Sequence, residues 1–212
     1  MRLKSFYPIR FYPVLDTELA SRLGIGPVAA AAALLEAGAH ILQFRHKGFF
    51  SRQTYDQAGE MASFCRQAGA LFVMNDRADL ARLLNAALHV GQDDLSPADA
   101  RRILGEDAIV GYSTHNEAQI RAAAAEPVDY LALGPIFGTS TKQNPDPVVG
   151  LDELRRLRSM THRPLVAIGG ITLANALSVW GAGADSVAVV SDLFPKDGNI
   201  RARAEEWMEI SA

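Results

Sequence analysis

Cysteine is nearly missing: one thiol in 212 residues rules out an internal disulfide. Cys65 falls in register with Tyr55, Ala58, Met61 and Ala62 on one helical face, which reads as a core thiol in a reducing, cytoplasmic compartment. An excess of basic charge is missing too. Twenty-one Lys and Arg against 24 Asp and Glu give a net charge of -3, so no affinity for polyanions needs explaining and nucleic acid is not an expected partner. No run reaches the ~18 uninterrupted apolar residues of a membrane span, and residues 1–10, read as a leader, lack the apolar segment of a signal peptide. No membrane association is expected. Asp16-Thr17-Glu18, after the first apolar run, is not the glycine-rich turn of a dinucleotide-binding open sheet, which leaves that architecture as runner-up.

What is present is a globular composition, 49% hydrophobic and 21% charged, in a chain long enough to bury ~70% of its unfolded surface. Apolar runs alternate with helical patterns from end to end. Strands are expected at Phe11 to Leu15, Ala39 to Lys47, Ala70 to Met74, Leu88 to Gly91, Ile109 to Ser113, Val128 to Leu133, Pro164 to Ile168 and Ser186 to Val190. Between and after them, helices are expected at Pro27 to Ala37, Ser51 to Gln67, Ala78 to Asn85, Ser96 to Leu104, Glu117 to Ala125, Leu151 to Met160, Leu173 to Trp180 and Ile200 to Ile210. Eight strand-then-helix units with no linker between them predict one (β/α)8 barrel over residues 1–212, of the TIM-barrel kind.

In such a barrel the site lies where strands end. Gln43, Arg45 and Lys47 alternate with apolar neighbours, so a period of two puts three polar groups on one strand face, where two cations invite a polyanion. Asn75-Asp76-Arg77 and Gly91-Gln92-Asp93-Asp94 follow the third and fourth strands and bring carboxylates to the same rim. Mg2+ takes one or two carboxylates and completes its shell with phosphate oxygens, which fits acids set beside cations, although each acid alone also suits a helix N-terminus. The sixth strand runs into Gly134-Pro135-Ile136-Phe137-Gly138-Thr139-Ser140-Thr141-Lys142, whose glycines, hydroxyls and amine suit a phosphorylated small molecule as well as a plain turn. Ile168-Gly169-Gly170-Ile171 and Val190-Ser191 offer backbone N–H groups and a hydroxyl for a second phosphate. Ser113 has a ligand-facing position, whereas His115 reads as a capping or surface residue and no histidine pair has metal-ligand spacing.

Taken together, Gln43 to Lys47, Asn75 to Arg77, His89 to Asp94, Gly111 to His115, Gly134 to Lys142, Ala167 to Ile171 and Val190-Ser191 resemble, in order and spacing, the thiamine phosphate synthase family. The resemblance implies a transferase that joins hydroxymethylpyrimidine diphosphate to hydroxyethylthiazole phosphate with release of diphosphate, assisted by Mg2+. It further implies that Gln43, Arg45, Lys47, Asn75, Ser113 and Lys142 hold the pyrimidine diphosphate. By the same resemblance Arg45, Lys47, Lys142 and Ser113 would act on the chemistry, and Asp76 and Asp94 would hold the metal. Thr139, Ser140, Thr141, Gly170, Val190 and Ser191 would hold the thiazole phosphate. Small-molecule substrates are the expected partners, and a homo-oligomer is compatible with the pattern. His46 replaces the usual acid but alternates away from the polar face, a short approach to the fourth strand leaves Asp93 open beside Asp94, and Gly138 replaces a frequent proline. The rival readings are a thiazole tautomerase, which needs no diphosphate-metal site, and a non-catalytic sensor of a thiamine precursor.

Overall fold

The computed structural model describes residues 9–139, 141 and 146–212. Among these, eight parallel strands close on themselves in sequence order. They are β1 Phe11–Asp16, β2 Ile41–Arg45, β3 Leu71–Asn75, β4 Ala87–Val90, β5 Val110–Thr114, β6 Tyr130–Leu133, β7 Leu165–Ile168 and β8 Ser186–Val189. The helices are α1 Thr17–Arg22, α2 Pro27–Glu36, α3 Arg52–Ala68, α4 Ala78–Leu84, α5 Pro97–Leu104, α6 Glu117–Ala123, α7 Gly150–Arg158, α8 Ala176–Gly181 and α9 Ile200–Ile210. The expected barrel is therefore the observed one, and α9 has the expected limits.

Alternation along the strands makes two cores. Outward-facing Leu42, Phe44, Met74, Leu88, Leu131 and Val187 pack under the helices, and Tyr12, Val14, Ile41, Val73, Tyr130, Val166 and Ala188 fill the axis. Trp207 of α9 closes the outer layer: its ring stacks on Phe11 at 5.3 Å and its indole N–H donates to Asp192 at 3.0 Å. Cys65 is buried in that layer, as its helical register predicts.

Several limits shift, each for a local reason. Asp16 caps a short extra helix, α1, by accepting the N–H of Leu19 at 2.8 Å, and the apolar pattern gives no hint of it. β2 stops at Arg45, so Lys47 projects from the following loop rather than from the strand. α8 starts at Ala176, because Asn175 accepts the N–H of Thr172 in a turn that occupies the expected first residues. β6 begins at Tyr130, after Asp129 has used its side chain to take the N–H of Val110 at 2.7 Å.

Candidate active site

The C-terminal ends of the strands open into a cavity of about 430 Å³. Gln43, Arg45, Lys47, Asn75, Asp76, Asp94, Ser113, Thr139, Thr141, Gly170, Val190 and Ser191 all line it. Ser140 and Lys142 lie outside the described residues. His46 turns away, as its alternation predicts: it meets Thr17 at 2.7 Å and stacks on Phe44.

Register explains much of this convergence. Asp16 of β1 sits opposite Arg45 of β2, and the two side chains form an ion pair in which the carboxylate is almost fully buried. The Arg45 guanidinium is thereby aimed before any ligand arrives. Asn75 of β3 sits beside His89 of β4, and the Asn75 side-chain N–H2 is buried with no hydrogen-bond partner among the described residues. A buried amide without a partner is costly, and this one stands at the cavity wall.

Next along β3, Asp76 adopts the left-handed region at φ 64°, with its N–H donating to the carbonyl of His89 at 2.8 Å. This turn throws the Asp76 carboxylate back over the mouth, where Lys47 reaches it at 2.5 Å. Asp94 lies within hydrogen-bond reach of Asp76 and also accepts the N–H of Gly91 at 2.7 Å. Burial pushes the Asp76 carboxyl up to about 6, the Asp94 charge adds to the rise, and Lys47 opposes it. Of the neighbouring acids left open by sequence, Asp94 is the one paired with Asp76, and Asp93 lies elsewhere on the wall.

Across the mouth, the segment after β6 is laced to the end of β7. Ile136 N–H donates to Ile168 O at 2.9 Å and Phe137 N–H to Gly169 O at 3.0 Å. Side chains at Gly169 and Gly170 would run into Pro135 and Phe137, and both glycines have positive φ, so only glycine permits this approach. His115 is part of the wall rather than a surface residue, because its Nδ1 meets Gly134 O at 2.6 Å and lies 3.5 Å from the Asp146 carboxylate. Asp16, His89, His115 and the two interior tyrosines are the wall and support residues that motif reasoning passed over. Asp16 was findable as an acid ending the first strand at the rim where Arg45 ends the second.

These features define a class: an α/β barrel whose strand-end mouth gathers the carboxylates of Asp76, Asp93, Asp94 and Asp146, the cations of Arg45 and Lys47, and an amide with no partner among the described residues. Residues 11–193 match the family model described as thiamine monophosphate synthase. A thiamine-phosphate synthase of Koribacter versatilis is 46% identical over 207 residues, covering 95% of both chains, and one of Laribacter hongkongensis is 43% identical over 190 residues, covering 89% of both. A solved thiamine phosphate pyrophosphorylase from Pyrococcus furiosus shares the fold with a TM-score of 0.85 and 29% identity over 96% of both chains. The chain belongs to the thiamine monophosphate synthase family and, with it, to the transferases.

Proposed function

We propose that this transferase condenses hydroxymethylpyrimidine diphosphate with hydroxyethylthiazole phosphate, giving thiamine phosphate and diphosphate. The observation that supports it most is the convergence of Arg45, Lys47, Asp76, Asp94 and the Asn75 amide on one cavity, in a chain of this family. Gln43 and Ser113 bind the pyrimidine. Asn75, Arg45, Lys47 and Lys142 bind its diphosphate, and Thr139, Ser140, Thr141, Gly170, Val190 and Ser191 take the thiazole phosphate.

The carbon–oxygen bond to the diphosphate breaks first, and its electron pair leaves with the diphosphate. The ring amino group stabilises the resulting pyrimidinyl cation until the thiazole nitrogen lone pair closes the new carbon–nitrogen bond. No proton has to move. The residues act by electrostatics: Arg45, Lys47 and Lys142 are placed where negative charge grows, and the barrel mouth excludes water that would capture the cation. Asp76 and Asp94 fit a hard divalent cation, since two carboxylates forced within reach of each other are relieved by one. Bound there, Mg2+ would neutralise charge on the departing diphosphate. Mixing both substrates with Mg2+ tests the proposal. One diphosphate released per thiamine phosphate formed is expected. Isomerised thiazole without diphosphate would make the protein a tautomerase, and binding without turnover would make it a sensor.

A further inference from the structure

Below the mouth, the barrel axis holds a line of polar side chains that metal and phosphate binding leave unused. Gln43 Nε2 donates to the Tyr12 hydroxyl at 2.8 Å, and that hydroxyl meets the Tyr130 hydroxyl at 2.9 Å. The Tyr130 hydroxyl lies 3.0 Å from His89 Nδ1, and His89 Nε2 lies 2.9 Å from Ser113 Oγ. Five strands contribute one member each: β2, β1, β6, β4 and β5. The line has room only because β5 carries glycine at 111, where a Cβ would sit 2.0 Å from Tyr130 Cζ. Gln43, His89 and Ser113 all border the cavity, and the two tyrosines lie buried beneath it.

We infer that Tyr12, Tyr130 and His89 are positioning residues that set the hydrogen-bond polarity of Gln43 and Ser113 toward the pyrimidine. The Gln43 amide, donating to Tyr12, gives the line its sense. Tyr12 passes its hydrogen to Tyr130, Tyr130 passes its own to His89 Nδ1, and the hydrogen on Nε2 points at Ser113 Oγ. The imidazole then accepts at Nδ1 and donates at Nε2, the one tautomer that continues the sense set by Gln43. The cavity then meets one acceptor, Gln43 Oε1, and one donor, the Ser113 hydroxyl. A 4-aminopyrimidine edge is the complement: an exocyclic N–H beside an unprotonated ring nitrogen. A 4-oxopyrimidine presents the reverse, a ring N–H beside a carbonyl: its carbonyl opposes Gln43 Oε1, and the Ser113 hydroxyl has to turn its hydrogen away to accept the ring N–H.

This inference rests on the proposed pyrimidine substrate, and its test separates the two. The 4-amino and 4-oxo forms of hydroxymethylpyrimidine, without diphosphate, are compared as competitive inhibitors of the wild type and of Tyr130→Phe, which keeps the ring and breaks the line. The wild type should prefer the amino form by ~30-fold or more, and Tyr130→Phe should reduce that preference below ~5-fold while the KM for the thiazole phosphate stays within ~2-fold. In the wild type, nitrogen chemical shifts should show His89 protonated at Nε2. A preference unchanged in Tyr130→Phe, equal loss of affinity for both forms, or a hydrogen on Nδ1 would overturn the inference. Failure of the wild type to release diphosphate from the substrate pair would instead overturn the proposed function.

Discussion

The two rims of this barrel treat charge in opposite ways. At the N-terminal ends of the strands two arginines are held by carboxylates and carbonyls. Arg101 donates to Asp129 at 2.7 Å and to the carbonyls of Pro127, Glu106 and Ala108, and Arg158 joins Asp185 at 3.3 Å and the carbonyl of Arg163 at 2.8 Å. Asp129 and Asp185 in turn take the N–H groups of Val110 and Leu165, each at 2.7 Å, so the ion pairs pin the starts of β5 and β7. At the C-terminal ends the arrangement is less even: Lys47 pairs with Asp76, but Asp94 crowds the same carboxylate, Asp76 holds a left-handed backbone, and the Asn75 amide has no partner among the described residues. Each rim keeps one buried polar atom without a partner among the described residues, Ser186 Oγ at the first and Asn75 Nδ2 at the second, but only the second also sets two carboxylates against each other. The first kind of rim stabilises a fold, and the second stores local cost that a bound ligand relieves.

Substitutions should therefore separate stability from activity according to rim. The largest effect is expected for Asp76→Asn, which tolerates the left-handed backbone: turnover at saturating Mg2+ should fall at least ~100-fold, about 3 kcal/mol of transition-state stabilisation. Steady-state diphosphate release measures it, and near-normal turnover would overturn the proposed metal role of Asp76. Arg101→Ala acts at the other rim and should lower stability by about 2 kcal/mol, a fall in Tm of ~4–8 °C, while turnover stays within ~2-fold. Thermal unfolding followed by circular dichroism, paired with the same activity assay, checks both halves. Asp16→Asn keeps the helix cap but removes the charge that aims Arg45. It should raise the KM for the pyrimidine diphosphate ~10-fold, with the KM for the thiazole phosphate nearly unchanged.

The smallest effect belongs to Cys65, remote from both rims. Burial pushes its thiol up to about 12 from an ordinary 9.0, so the folded state holds the proton over a range in which the unfolded chain has lost it. Stability from this source is complete below the unfolded value and is lost as pH rises through the folded one. The native protein at pH 8 should resist alkylation by iodoacetamide that labels the denatured protein readily, as mass spectrometry would show.

The barrel was legible in the sequence because eight apolar runs of strand length alternate with amphipathic segments, a pattern set by short-range period alone. Twelve of the fourteen expected site residues line the cavity, since strand-end position is local information too. Pairing across strands was not legible. That Asp16 holds Arg45, and that Tyr12, Tyr130 and His89 join Gln43 to Ser113, depends on register between segments up to 118 residues apart. His115 was misjudged for the same reason: its partner, the Gly134 carbonyl, belongs to another loop. Helix α1 was missed because it is a single short turn capped by Asp16, the residue that also ends β1.

The contrast between the rims is tested most directly by Asp94→Asn, with thermal unfolding and turnover measured on the same preparation. The change keeps an acceptor for the Gly91 N–H and removes one of the two crowded charges. Without metal above pH 7 the variant should unfold ~2–4 °C higher than the wild type, the shift of about 1 kcal/mol once water at the mouth has screened the repulsion, while turnover falls ~30-fold or more. A variant that loses stability and activity together would show that Asp94 supports the fold, and would contradict a rim held out of balance for its ligand.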